Sequence, residues 1–437
     1  MAVSTINPTV ETAPTQAEPQ SRKREVQVAL WPVVIVLYAT LLPREMRLSV
    51  GELTIYADRA GLILVLPYVI RKIMDGAIRF VLPDFLILFL GIWMLVSMIY
   101  HLGFGPGLQR GGSLALDGTV AYYLARISFR SLNDMRKVLI LFAPGLFLAA
   151  LTIMAESLLG RPIIQPLAEQ AFGKLPFFVG GDMAGYRDTE NYFRLGLMRA
   201  RGPFSHPILA GLYLASAIGL YNLSGLRGWP RLLGNLAGLM SFFSLSSAAI
   251  LATVISYGLI AFELIQRRIR ELSWRLLLSA VGLATLLAEM GTNIGVTGFV
   301  TRYLTLNQDT AFFRTLIWEF GSKAVMTNPM FGIGFEGYER PEWMLTESVD
   351  AHWLLLAMRF GLPAVIALGL SVIVALFALA RASVKAPRVD QAFYRGIAIS
   401  LFVLSLMMFT VTLWGGVLNW FNLLLGGCVA CAQRSFR

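Results

Sequence analysis

The sequence reads as an all-α, polytopic integral membrane protein with about twelve transmembrane helices. Three observations predict this. The 437-residue chain is 56% hydrophobic and only 14% charged, where a soluble chain carries about a quarter charged residues. The apolar residues gather in runs close to the roughly 17–25 residues that span a bilayer as a helix. The basic residues recur at every second connection between those runs. The weak ten-residue alternation of an outer-membrane barrel is missing from the pattern.

Residues 1–27 are rich in Thr, Pro, Gln and Glu and end in Arg22, Lys23 and Arg24, which reads as a disordered tail with a basic stop. No short apolar core follows an early basic patch before a small-residue cleavage site. A cleavable signal peptide is therefore not expected, and the first apolar run reads as a retained anchor. The remainder, 28–437, reads as one membrane domain. Its apolar segments lie at about 28–43, 54–70, 81–100, 113–129, 137–158, 204–222, 230–245, 247–265, 274–291, 352–380, 396–413 and 417–433.

The net charge of +11 suggests nucleic acid at first sight. Its distribution argues for topology instead. The short connections carry Arg71, Lys72 and Arg79; Arg126, Arg130, Arg136 and Lys137; Arg227 and Arg231; Arg267, Arg268, Arg270 and Arg275; and Arg381, Lys385, Arg388 and Arg395. Arg434 and Arg437 close the chain. The positive-inside rule puts these connections and both termini in the cytoplasm. The alternate connections then face outward, and two of them are long, near 159–203 and 292–351. Cys428 and Cys431 are the only cysteines and sit inside the last apolar run. A disulfide framework is excluded, and one Cys-x-x-Cys lacks the ligands of a closed zinc site, so packing is the expected role.

The outer loops hold the unusual chemistry. The first carries Arg161, Arg187, Arg194, Arg199 and Arg201, then Gly202, Pro203, Phe204, Ser205, His206 and Pro207. These arginines break the positive-inside pattern. An arginine fork gives bidentate hydrogen bonds to phosphate oxygens, and its charge does not titrate away. The bland alternative is snorkelling, or pairing with Asp182, Asp188 and Glu190. The adjacent pair Arg199 and Arg201, beside the Gly-Pro turn, favours anion binding. His206 is either a general base or a helix-start residue ahead of Pro207, and the latter is favoured.

The second outer loop contains Arg302, then Phe313, Arg314 and Trp318, then Asn328, Pro329, Gly332 and Gly334, and ends at Asp350 and His352. The stretch 313–324 fits an amphipathic helix on the membrane surface with Trp318 at the interface. Gly332 and Gly334 keep the backbone open and close-packed, and no Walker lysine accompanies them. Trp318, Tyr338 and Trp343 suit either sugar stacking or interfacial anchoring. His352 opens the tenth span behind the acidic run Glu339, Glu342, Glu347 and Asp350, and it is one of only three histidines. An imidazole suits proton abstraction from a sugar hydroxyl; the alternative is a capping or interfacial residue. No D-x-D, H-E-x-x-H or cysteine set is present, so neither a metal nor a cofactor is expected.

About twelve spans, an R-x-x-G-x-F-x-x-P element entering a central span, and a long penultimate outer loop with RTLIW at 314–318, NPMFGIGF at 328–335 and a histidine at the next helix start resemble the O-antigen ligase and Wzy-type polysaccharide polymerase superfamily. The resemblance covers roughly 28–433. It implies metal-independent transfer of a glycan from undecaprenyl diphosphate to an acceptor hydroxyl at the periplasmic face of the bacterial inner membrane. His352 would be the catalytic base. Arg314 and either Arg199 or Arg201 would bind diphosphate, and His206 and Trp318 would take structural or acceptor-side roles. The implied partners are the lipid-linked oligosaccharide donor, a glycan acceptor, membrane lipids and polysaccharide chain-length or export proteins. Two departures stand out. The Ser-Arg-Gly element common between the seventh and eighth spans is replaced by SLSSAA at 244–249, without arginine, and the histidine is followed by Trp353 rather than Asn.

Within this superfamily the polymerase reading is preferred to a ligase acting on lipid A-core, because polymerases are the more numerous subgroup. A lipid-linked oligosaccharide flippase is the rival from another class. Transporters often show paired repeats and broken helices near the bilayer midplane; no convincing internal repeat is found here, and the unusual residues cluster in the outer loops rather than mid-span.

Overall fold

The computed structural model describes residues 29–50, 53–175, 193–269, 271–291, 308–344 and 347–433. The tail 1–27, the loop stretches 176–192 and 292–307 with Arg187, Asp182, Asp188, Glu190 and Arg302, and the terminal Arg434 and Arg437 lie outside the described residues.

An α-helix occupies each of the twelve apolar segments. In chain order the helices are α1 (Trp31–Ala39), α2 (Ala57–Met74), α3 (Leu82–Leu102), α4 (Phe104–Ser128), α5 (Leu132–Leu159), α6 (Ile164–Phe172), α7 (Pro207–Leu223), α8 (Trp229–Met240), α9 (Ser247–Gln266), α10 (Trp274–Gly291), α11 (Gln308–Thr327), α12 (His352–Phe360), α13 (Leu362–Lys385), α14 (Arg388–Met407) and α15 (Gly416–Cys431). Six of these, α3, α5, α9, α10, α13 and α14, are long and apolar enough to cross a membrane, and the apolar α7 and α15 are shorter. The protein is thus a predominantly helical membrane protein. Two small antiparallel hairpins depart from an all-α pattern: β1 (Arg47–Val50) with β2 (Leu53–Tyr56), and β3 (Phe193–Arg194) with β4 (Leu197–Met198).

The tenth apolar segment is not one helix. It breaks at Gly361, whose φ of +80° favours glycine. Leu362 N donates to Pro329 O at 2.8 Å. The backbone of Pro329 and Met330 lies so close that a Cβ at 361 would collide with it. The short α12 therefore belongs to the loop region, and α13 is the long apolar helix. The eleventh segment also stops early: α14 ends at Met407, and 408–414 runs as a non-helical strap.

The central α7 is buried on nearly every face, as expected of a helix apolar all round. It packs against α8, α9 and α14. Small residues permit the approach: a Cβ on Gly219 would lie 2.7 Å from Gly396 O, and a Cβ on Gly396 would lie 2.5 Å from Gly219 O.

Arg126, one of the charges counted as a basic connection, is not a solvated loop residue. Its side chain and that of Asp84 are both fully buried. Arg126 Nε donates to Asp84 Oδ1 at 2.7 Å and Nη2 to Oδ2 at 2.9 Å. Tyr122 Oη adds a bond to Oδ1 at 2.7 Å, and Val81 N caps Oδ2 at 2.8 Å. Glu263 forms a second hub, taking Arg267, Arg395, Gln266 and Trp274 Nε1. Ionisable groups inside a membrane protein require this kind of pairing.

Asp84→Ala removes one partner and strands a buried guanidinium, so it should destabilise the purified protein by about 3–5 kcal/mol. The double change Asp84→Leu with Arg126→Met should recover most of that loss. Unfolding midpoints in one detergent check both, and an unshifted midpoint for Asp84→Ala contradicts the assignment.

Candidate functional site

The first arginine-bearing loop is shaped by backbone clamps. Gly202 has φ +54°, and a Cβ there would lie 2.7 Å from Ile153. Glu156, near the end of α5, is buried. Its Oε2 accepts from Gly202 N at 2.8 Å, while Oε1 accepts from Ile163 N and Ile164 N at 3.0 and 3.1 Å. Gln165 of α6 donates to Gly202 O. Arg201 Nη1 reaches Ser205 O at 3.0 Å. The turn between the arginine pair and α7 is therefore held on both sides.

His206 caps α7, its Nδ1 accepting from Ile208 N at 3.2 Å. This is the helix-start role read from Pro207. Burial, followed by the charges of Arg199 and Arg201, lowers its pKa to about 3. The ring is neutral at any physiological pH.

The second loop closes over the same space. Gly332 and Gly334 have φ of +69° and +62°. A Cβ on Gly332 would collide with Met358 O, and one on Gly334 would lie 2.9 Å from His101. Ile333 N donates to Met358 O at 2.6 Å. Ser97 and His101 of α3 both contact Phe331 O, at 2.7 and 3.2 Å, and Phe331 stacks on Trp93 and Tyr100. The Gly-Ile-Gly segment is thus wedged between α3 and α12. Helix α11 packs on α12, and Trp318 is fixed by its Nε1 bond to Phe409 O at 3.1 Å. It does not line the cavity described next.

Together these segments enclose a cavity of about 1530 Å³. Arg199, Arg201, Arg314 and His206 all line it. So do Arg44, Arg194, Arg340 and Arg359, giving seven arginines against the four acids Glu45, Glu336, Glu347 and Asp350. Arg314 is buried, and its Nε has no hydrogen-bond partner among the described residues. Burial pulls its pKa below the usual range; Asp350 opposes this and Arg194 adds to it. Arg340 pairs with Glu347 at 2.8 Å. The cavity carries surplus positive charge enclosed by protein, where fields are stronger than in water.

His352 sits one layer back. It is 8% exposed and is not among the lining residues, although Asp350, Val411 and Thr412 around it are. His352 N donates to Val411 O at 3.3 Å, and Thr412 Oγ1 donates to Val349 O at 2.6 Å. His352 Nδ1 is buried with no hydrogen-bond partner among the described residues. Burial, and secondly the charge of Arg359, brings its pKa down to about 4. Trp353 is buried in the core, donating from Nε1 to Ser405 O at 2.9 Å. The strap 408–414 joins the two loops, since Trp414 Nε1 also donates to Ser205 Oγ at 3.1 Å.

The SLSSAA stretch reaches the same cavity through Ser246 and Ser247. Leu245, at φ +47°, turns its carbonyl to Arg194 Nη1 at 3.2 Å. Arg194, from the loop before α7, thus meets this stretch at the cavity. Tyr338 lines the cavity, whereas Trp343 is exposed and stacks on Phe312.

Sequence reasoning missed Arg44, Arg340, Arg359 and Glu156. Arg359 lies two turns after His352 on one helix, a spacing that shares a face. Arg44 stands in a connection that the charge pattern predicts to face outward, where an arginine is already anomalous. Glu156 gave no signal, because its value lies in three backbone donors from distant residues. No known protein family and no curated protein matches the chain.

Glu156→Ala orphans three backbone N–H groups and should cost about 2–4 kcal/mol of stability. It should also weaken anion binding in the cavity at least severalfold by releasing the Arg199–Gly202 turn. Thermal unfolding and pyrophosphate titration of the purified protein check this; wild-type values in both measurements contradict the clamp.

Proposed function

We propose that this chain is a glycosyltransferase of the Wzy polymerase type. In this reading it crosses the bacterial inner membrane twelve times, with both termini in the cytoplasm. The arginine cavity faces the periplasm and receives an undecaprenyl-diphosphate-linked glycan. The observation that carries the reading is the convergence of Arg199, Arg201 and Arg314 on one cavity from loops that are far apart in sequence.

Nucleotide donors are scarce on the outer face, so the donor must bring its own leaving group. A lipid diphosphate does. The acceptor hydroxyl oxygen forms a bond to the anomeric carbon. The bond from that carbon to the diphosphate oxygen breaks, and its electron pair stays on the diphosphate. Arginine forks bind the resulting charge, which is larger on the leaving group than on the bound donor, so they favour the transition state. The hydroxyl proton goes to His352. The ring is neutral at physiological pH and can accept it, though a pKa near 4 makes it a weak base in the empty protein. Bound diphosphate adds negative charge nearby, which raises an imidazole pKa and strengthens the base. The ring turns toward the cavity when donor and acceptor fill it. If the reaction inverts the anomeric centre, the base and the diphosphate lie on opposite faces of the donor sugar.

The test is the lipid-linked glycan profile of a host strain lacking the gene, complemented with wild type or His352→Ala. The variant should leave single repeat units on the lipid carrier and reduce long polymer by about a hundredfold or more. Unchanged polymer with His352→Ala rules out the general-base role. Long polymer retained on the carrier but absent from lipid A identifies a ligase instead. Unaltered glycans in the deletion strain itself reject the whole reading.

A further inference from the structure

The wall of the arginine cavity is not uniform in charge. The segment 333–350 supplies three of its four acids, Glu336, Glu347 and Asp350, together with Tyr338. The arginine of that segment, Arg340, is paired with Glu347 at 2.8 Å and donates from Nε to Met344 O at 3.0 Å. Arg194, Arg199 and Arg201 come from the other loop. Arg314 stands between the two, since it feels the charges of both Asp350 and Arg194. The cavity therefore joins a cationic part to a part lined by carboxylates and a phenol.

Tyr338 is the unusual member of the second part. It is 7% exposed, and its ring packs in an apolar cluster with Ile317, Met344, Val349 and Leu354. Arg340 lies over the ring, 5.7 Å from its centroid. The ring is thus held by packing, yet its Oη is buried with no hydrogen-bond partner among the described residues. A phenylalanine would fill the same space without burying an unpaired hydroxyl, so the hydroxyl calls for a partner from outside the chain. Burial raises the phenol pKa, against the opposing charge of Arg340. The group stays a neutral O–H that can both donate and accept.

A carboxylate accepts hydrogen bonds and repels phosphate. The complement of carboxylates beside a neutral phenol is an uncharged group that both donates and accepts, which describes the hydroxyls of a sugar. The location agrees with the base. Tyr338 feels the charge of Asp350, two residues before His352, and its cluster includes Ala351 and Leu354 on either side of that histidine.

We infer that Tyr338, with Glu336 and Asp350, holds a sugar ring of the lipid-linked glycan by its hydroxyls, beside His352. The Tyr338 hydroxyl donates to a sugar oxygen, and the two carboxylates accept from neighbouring sugar hydroxyls. This rests on the glycosyltransferase reading, and it assigns the part of the cavity that reads the glycan rather than the diphosphate.

The test uses the purified full-length protein in lipid nanodiscs. The probes are bare undecaprenyl diphosphate and the lipid-linked saccharide that accumulates in the deletion strain. Wild type should bind the saccharide-bearing lipid more tightly than the bare one. Tyr338→Phe keeps the ring and its packing. Its unfolding midpoint and its affinity for the bare lipid should match wild type, while its affinity for the saccharide-bearing lipid falls by about fivefold. Glu336→Gln, at an exposed position, should act in the same direction without touching the packed cluster. Glu339→Gln, exposed and outside the cavity lining, should change neither affinity. Equal affinity of wild type for the two lipids overturns the inference and leaves the diphosphate reading standing. So does a Tyr338→Phe variant that keeps full affinity for the saccharide-bearing lipid or loses both affinities equally. A deletion strain that accumulates no lipid-linked saccharide rejects the glycosyltransferase reading itself, and the inference falls with it.

Discussion

Guanidinium groups repel one another, and this chain brings seven of them to the wall of one cavity. That repulsion is the constraint around which the cavity-bearing half is built. Arg340 is paired with Glu347, while other segments of the site are tied down by bonds that leave the arginine charges unmatched. Glu156 spends its carboxylate on backbone N–H groups of the Gly202 turn and the start of α6. Phe331 O is gripped by Ser97 and His101. The strap 408–414 bonds to both loops through Trp414 and Thr412. The scaffold offsets the repulsion with rigid backbone bonds, and the cavity is left complementary to a multiply charged anion. Preorganised charge of this kind needs no rearrangement when negative charge develops on a ligand.

The opposite face solves a different problem. There the charges are cancelled at source, Arg126 by Asp84 and Arg395 and Arg267 by Glu263. These hubs fasten α3 to α4 and α9 to α14. Small-residue contacts such as Gly219 against Gly396 then set how closely the helices pack. The same bundle is tied by buried ion pairs at one end and carries the large arginine-lined cavity at the other. Asn419 and Asn422 are also buried in α15, and Asn422 bonds to Asp117 O at 3.0 Å.

The helical membrane architecture was legible because apolar runs and alternating basic connections are local signals. Arg199 and Arg201 stood out for a related reason, since arginines in a connection expected to face outward violate the charge rule, whereas Arg314 stood out only through the resemblance of its RTLIW stretch; the structure brings all three to one cavity. The break at Gly361 was not legible, since apolar residues continue on both sides of it and only the approach of Pro329 and Met330 forces it. His352 showed the limit of residue-type reasoning. Its sequence position suggested a surface histidine, but the strap 408–414 covers it. Trp318 fitted an interfacial anchor equally well as a sugar platform; its Nε1 bonds to Phe409 O, and it does not line the cavity. Arg126 looked like a connection charge because its partner Asp84 lies at the start of another helix.

The central claim is that the arginine cavity is complementary to a lipid-borne diphosphate, and direct binding tests it most simply. The purified full-length protein, in lipid nanodiscs, would be titrated with undecaprenyl diphosphate and undecaprenyl monophosphate, alongside Arg314→Gln. The account predicts that the diphosphate binds at least about tenfold more tightly than the monophosphate. It also predicts that Arg314→Gln removes most of that preference, because charge-assisted arginine bonds to phosphate are among the strong ones. Equal affinity for the two lipids, or an undiminished preference in Arg314→Gln, would contradict it.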